Sequence, residues 1–183
     1  MDYQLLFQQN DRFDEGDNFC CTYYRDGGSV ELCCRSDYSI LFVLQGTLEM
    51  RFKYMGYSVG AGQLVAIDKQ ALIDFRTAPS TILLIYRPPL RLEEILSQCS
   101  KIYDTPFSSA VPILPPLQRW IDSLLEQNTG GRRWTEDEAH KQRKELARIF
   151  MDYPCRELQE LRAVFLLCVW GDCKYCHQKL FTP

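Results

Sequence analysis

The residues best spaced for chemistry in this 183-residue chain are Cys173-Lys-Tyr-Cys176-His177. They match C-x-x-C-H, in which two thiols bond the vinyl groups of haem and the histidine ligates iron. Two thiolates at this spacing also make half of a tetrahedral zinc site. Neither reading finds what it needs elsewhere. Haem attachment of this kind belongs to exported proteins, and the N-terminus MDYQLLFQQNDRFDEGDNF has acids where a secretory leader is basic and lacks an apolar centre. Zinc requires two more ligands, whereas Cys20-Cys21 and Cys33-Cys34 are adjacent pairs whose side chains leave a strand on opposite faces. An odd total of nine cysteines without an export signal reads as reduced thiols in a cytoplasmic protein, not as a disulfide framework. The expectation is no metal and no cofactor.

Catalytic residues are equally hard to assemble. His140 lies in a run of acidic then basic residues with no nucleophile pattern near it, and reads as a surface residue. Asp68 and Asp74 flank a strand-like run and suit turn and edge positions better than an acid/base pair. The glycines of Gly60-Ala-Gly62 precede a strand instead of a helix, so they cannot cradle a phosphate at a helix N-terminus. The expectation is that the chain is not an enzyme.

Charge excludes other classes. Residues 1 to 91 carry 9 basic and 11 acidic side chains, and residues 92 to 183 carry 12 and 13. A protein that grips nucleic acid through phosphates shows a basic face, and only Arg132-Arg133 hints at one, so no direct nucleic-acid binding is expected. No apolar run reaches the roughly 18 residues of a membrane span; the longest, Ala163 to Trp170, is far shorter.

The elements that would position any site divide into two kinds. Residues 3 to 91 read as short strands separated by turn residues: Phe19 to Tyr24, Ser29 to Arg35, Tyr38 to Gln45, Thr47 to Tyr54, Gln63 to Ile67, Ala71 to Thr77 and Thr81 to Arg87. Leu48, Met50 and Phe52 alternate with Glu49, Arg51 and Lys53, which predicts one wet face. Ile40 to Leu44 and Ile82 to Tyr86 are apolar at consecutive positions, as expected where both faces are covered. Gly46, Gly60 and Gly62 fall where a small barrel turns sharply, and an aromatic hairpin is expected to turn near Gly56.

Pro88-Pro89 ends the strands, and residues 92 to 183 have helical periodicity. Helices are predicted over Leu92 to Tyr103, Pro115 to Gln127, from Thr135 onward, and over Cys155 to Trp170. Thr135-Glu-Asp-Glu138 has the form of a capping box. The fold class is therefore α+β: a β-barrel over 1–91, then a helical subdomain of about four helices over 92–183. Phe42, Leu44, Met50, Phe52, Phe75 and Tyr86 are the candidates to face the barrel interior, as a ligand pocket or as filling side chains.

The run Ser36-Asp-Tyr-Ser-Ile-Leu-Phe-Val-Leu-Gln-Gly-Thr-Leu and the run Tyr57-Ser-Val-Gly-Ala-Gly-Gln-Leu-Val-Ala-Ile resemble the N-terminal cupin domain of AraC-type transcription regulators, of the kind found in Bacteroides-like bacteria. In that family an apolar strand ends in Leu-x-Gly, and a later glycine corner opens another strand; Gly46 and Gly62 take those places. The segment Phe150-Met-Asp-Tyr-Pro-Cys-Arg-Glu-Leu looks like the helical linker after the cupin, and the likeness spans about Asp2 to Phe165. It implies a double-stranded β-helix (jelly roll) followed by helices. Metal-binding cupins carry histidines and a glutamate around the first glycine; Leu44 and Thr47 stand there in this chain.

The resemblance implies effector sensing, or homodimerisation through a helix of the second half. The stripes Trp120, Ile121, Leu124, Leu125 and Leu158, Leu161, Phe165 fit such an interface. The family's helix-turn-helix pair does not follow Trp170, so DNA would be reached only through a domain absent from this chain. The candidate interior is poor in groups that satisfy sugar hydroxyls, so a small apolar or aromatic effector fits better. An interaction module with a solid barrel and a cupin enzyme with an unusual ligand set are the other readings.

Overall fold

The computed structural model describes residues 3–7, 11–14, 19–30, 38–68, 73–86, 110–128 and 134–151. A short 3-10 helix (Tyr3–Phe7) precedes β1 (Arg12–Asp14), β2 (Phe19–Tyr24), β3 (Gly28–Ser29), β4 (Tyr38–Gln45), β5 (Thr47–Phe52), β6 (Met55–Gly60), β7 (Gln63–Asp68), β8 (Ile73–Thr77) and β9 (Thr81–Tyr86). Then come β10 (Val111–Pro112), α1 (Pro115–Asn128) and α2 (Glu136–Met151). The strands form a six-stranded sheet, β1-β2-β9-β4-β7-β10, and a four-stranded sheet, β3-β8-β5-β6. Every described pairing is antiparallel.

The register shows how the sheets join. β4 and β5 are one strand bent at Gly46, and β8 and β9 are its partner bent at Ala78–Ser80; the ribbon pairs as β4 with β9 in one sheet and as β5 with β8 in the other. On its other side β4–β5 pairs with β7 and β6, which are joined across Ala61-Gly62. The two sheets are therefore halves of one folded ribbon. They meet at the line through Gly46, Ala78–Ser80 and Gly62, and diverge towards Phe52 paired with Ile73 in one sheet and Ile40 paired with Tyr86 in the other.

Local chemistry makes that fold line. Gly46 has φ +78°, in the left-handed region that glycine enters without a Cβ penalty. A Cβ there would stand 2.4 Å from Thr81 Oγ1 and 2.7 Å from Thr81 Cα, so the two strands approach as only glycine permits. Buried Thr81 donates its hydroxyl to the Ala78 carbonyl at 2.7 Å and accepts the Thr47 amide at 3.2 Å. Gly62, φ +75°, sends its N–H to the Val43 carbonyl at 2.8 Å and accepts the Ile113 amide at 2.7 Å. The sharp-turn reading thus holds at Gly46 and Gly62, while Gly60 closes β6.

Two apolar layers result. Between the sheets lie Val30, Leu41, Val43, Leu48, Met50, Val59, Val65, Ile67, Phe75, Leu83 and Ile85. On the other face of the six-stranded sheet, Ile40, Phe42, Leu64, Ile82, Leu84 and Tyr86 meet Leu117, Trp120, Ile121, Leu124 and Leu125 of α1 and Leu146 and Ile149 of α2. Consecutive residues of β9 enter alternate layers and all six are buried, which accounts for its unbroken apolar run. In β5, Leu48 and Met50 are buried and Glu49 and Arg51 exposed, as their alternation predicts.

Several expectations are corrected. The hairpin between β5 and β6 turns at Lys53-Tyr54, not near Gly56, which is a strand residue opposite Arg51. Strand structure resumes after Tyr86, since Val111–Pro112 adds to the six-stranded sheet. Of the four expected helices, α1 and α2 are described; Leu92 to Tyr103 and Cys155 to Trp170 lie outside the described residues.

At the start of α2 the Thr135 amide donates to Glu138 Oε2 at 2.8 Å and the Glu138 amide donates to Thr135 Oγ1 at 3.3 Å, a reciprocal capping box. Thr135→Ala is expected to cost about 1 kcal/mol in urea unfolding, because the cap is exposed and part of its hydrogen bonding passes to water. A loss under about 0.3 kcal/mol would show that the cap is not formed in solution.

Candidate functional site

The candidate site lies at the end of the roll away from the fold line, where the interior layer reaches the last residues of β5 and the first of β8. Phe52 ends β5, Ile73 begins β8 directly opposite it, and Tyr57 of β6 faces Met50 of β5. All three aromatic or branched side chains are half-buried against the interior cluster. Below them lie Met50 and Phe75, which pair across β5 and β8, with Ile67 and Ile85 from the facing sheet. The ammonium of Lys53 stands 5.1 Å from the centre of the Phe52 ring, placing a cation beside these apolar side chains. Tyr24, half-buried against the same cluster, pairs with Thr81 at the fold line. Burial first, and then neighbouring Cys20, raises its phenol above the ordinary value.

The interior-facing candidates divide between the layers. Met50 and Phe75 are buried between the sheets and Phe52 packs at the rim, whereas Phe42, Leu44 and Tyr86 belong to the layer under the helices. That corrects their expected position. On β4 the inward residues are Leu41 and Val43, and the register slips between Val43 and Gln45, making Leu44 the extra residue of a bulge. Val30, Leu41, Val43, Leu48, Val59, Val65, Ile67, Leu83 and Ile85 also face the interior and are not among the candidates that the sequence singles out. A one-residue change of parity exchanges the faces, and a run apolar on both faces gives no sign of which parity holds.

The candidate interface residues on α1 are also accounted for. Trp120, Ile121, Leu124 and Leu125 are buried by the chain's own six-stranded sheet, with the Trp120 ring 5.5 Å from that of Tyr86, edge on, and 6.4 Å from that of Phe42. They cover the roll and are not free to form a contact between copies. Leu158, Leu161 and Phe165 lie outside the described residues, as do Cys33, Cys34, Arg132, Arg133, Cys173, Cys176 and His177.

Among the described residues no cluster of His, Cys, Asp or Glu has the geometry to hold a metal ion. Asp74 is exposed and ion-paired with Arg76 at 3.5 Å. Cys20 and Cys21 are buried and free, on opposite faces of β2 as their adjacency requires. Burial pushes the Cys21 thiol up, away from the reactive thiolate. Alkylation of Cys21 by iodoacetamide is expected to be on the order of a hundredfold slower in the native protein than in urea, read by peptide mass spectrometry. Equal rates would mean that β2 opens freely. No described helix is long and apolar enough to cross a membrane.

This architecture, an antiparallel roll in two sheets with helices over one face, has counterparts among solved structures. They include AraC-like regulators and cupin-domain proteins. The AraC-like transcriptional activator CuxR matches with a TM-score of 0.49 and 14% identity, over 93% of this chain and 69% of its own. ToxT from Vibrio cholerae matches with a TM-score of 0.42 and 11% identity, over 73% and 55%. A cupin-2 domain protein from Shewanella frigidimarina matches with a TM-score of 0.32 and 18% identity, over 47% and 89%. No family model and no curated protein matches the sequence. At these scores the likenesses carry no weight for function, and the site is defined by register and burial.

Proposed function

We propose that this chain is the ligand-sensing and dimerisation part of an AraC-type transcription regulator, of the kind found in Bacteroides-like bacteria. It would act without catalysis and reach DNA only through a helix-turn-helix domain. The observation that carries this reading is the composition of the layer between the sheets: its buried side chains are apolar except Thr77, which β8 places on the same face as Phe75, and Phe52, Tyr57 and Ile73 are half-buried against it at the end away from the fold line. Such walls suit an apolar or aromatic molecule. Lys53 over Phe52 supplies one cation beside them, so a molecule with an aromatic or aliphatic body and an acidic head fits best.

Binding to the native state alone stabilises a protein by about 2.7 kcal/mol at a hundred times the dissociation constant, or about 5–10 °C for a domain of this size. A thermal-shift panel of phenyl- and naphthyl-alkanoic acids and medium-chain fatty acids is expected to yield at least one such shift. Elemental analysis is expected to find no stoichiometric iron, zinc or manganese; one metal per chain would instead support the enzyme reading. The interaction-module reading has one observation in its favour, since the interior residues already pack against one another. A panel without a single shift would support it over sensing.

A further inference from the structure

Among the described strands the four-stranded sheet ends at β6, and the sequence of that strand lacks the devices that keep strand edges apart. Strands at sheet borders are commonly protected by charge, proline or a bulge. β6, Met-Gly-Tyr-Ser-Val-Gly, has none of these in a chain of which 25% is charged, and it pairs with β5 without a slip. Because the hairpin has a two-residue turn, Phe52/Met55, Met50/Tyr57 and Leu48/Val59 exchange the hydrogen bonds within it. The N–H and C=O groups of Gly56 and Ser58 therefore point to the outer edge. Gly60 also points outward, but its N–H is taken by Gln63 Oε1 at 2.8 Å.

We infer that β6 pairs antiparallel with β6 of a second copy of this chain, Gly56 opposite Ser58 of the other copy, about a two-fold axis beside Tyr57. This register satisfies all the outward groups of Gly56 and Ser58 in both copies and needs none from Gly60. It places no like charges opposite each other, because the strand has no charge. Gly56 and Ser58 are both exposed, and a Cβ added at Gly56 would meet nothing within 4 Å, so a second strand meets no steric barrier there. Beside the axis the hairpin tip exposes Tyr54 at 105% and Met55 at 53%, apolar area that a partner would cover. The occupant is a second copy because a two-fold makes this one strand complementary to itself. The inference specifies the dimerisation part of the proposed function, at a surface other than α1.

Light scattering on the full chain between about 5 and 200 μM tests it. A dimer is expected, and Ser58→Lys, an exposed substitution on the outer face, is expected to weaken it at least about tenfold, more at low salt. Tyr57→Cys, placed on the axis, is expected to form a disulfide-linked dimer absent from the unsubstituted protein under the same oxidation. A dimer that survives Ser58→Lys unchanged and gives no Tyr57→Cys cross-link overturns the β6 edge while leaving dimerisation itself standing. A monomer throughout overturns the inference. Effector binding is read separately, by the thermal-shift panel on the unsubstituted chain, because Tyr57 also belongs to the proposed effector site.

Discussion

Gly46→Ala is expected to lower the stability of the roll by about 3 kcal/mol or more, enough to leave a marginal domain largely unfolded at 37 °C. Two costs add. A non-glycine residue held at φ +78° pays roughly 1–2 kcal/mol for the left-handed backbone. The new methyl also overlaps Thr81, and overpacking of this kind costs roughly 1–3 kcal/mol. Because the overlap reaches Thr81 Cα at 2.7 Å as well as its hydroxyl, trimming the side chain cannot relieve it. Thr81→Ala in the Gly46→Ala background is therefore expected to recover almost nothing, and alone to cost about 1–3 kcal/mol by taking the acceptor from the half-buried Thr47 amide and leaving a gap at buried Thr81. Urea unfolding of the single and double variants measures both. Near-native stability of Gly46→Ala, or full rescue by Thr81→Ala, would mean that β4–β5 and β8–β9 do not fold over at this line.

The second large effect is expected at Trp120. Its indole is 5% exposed among Phe42, Tyr86 and the helical residues, and truncation of a buried tryptophan to alanine costs about 3–5 kcal/mol. Trp120→Phe should be much milder, about 1–2 kcal/mol, because Nε1 has no hydrogen-bond partner among the described residues and the exchange gives up mainly apolar area. The contrast separates two roles for α1. If the stripe covers its own sheet, both variants lose unfolding free energy in that order and keep their oligomeric state. If it formed an interface between copies, Trp120→Ala would dissociate a dimer and leave the monomer's stability nearly intact.

Local signals were legible in the sequence wherever one side chain settles the matter. β4 has the bounds its apolar run suggests, the alternation in β5 has the stated faces, and Thr135 and Glu138 cap α2 reciprocally. What could not be read depends on partners far along the chain. Phe42 and Leu41 are equally apolar, and only the meeting of β4 with β9, and the bulge at Leu44, decides which of them faces the roll. β6 was missed because two of its six residues are glycine and its alternation is weak; it is a strand because β5 pairs with it. β10 is two residues, one of them proline, and exists only through β7. The stripe on α1 is visibly apolar, but whether it covers the chain's own sheet or a second copy is a tertiary fact. The site was half legible for the same reason: Met50, Phe52 and Phe75 lie on strands with one wet face, while Phe42, Leu44 and Tyr86 lie on strands with none.

The proposed sensing role requires an apolar ligand to enter between the sheets and not beneath the helices. Methyl NMR during titration with the acids of the thermal-shift panel distinguishes these layers directly, because isoleucine methyls occur in both and Met50 adds a probe between the sheets. Shifts are expected for Met50, Ile67, Ile73 and Ile85, with Ile40, Ile82, Ile121 and Ile149 unmoved. Shifts confined to the second group, or none in either across the whole panel, would contradict the assignment of the roll's interior as the effector site.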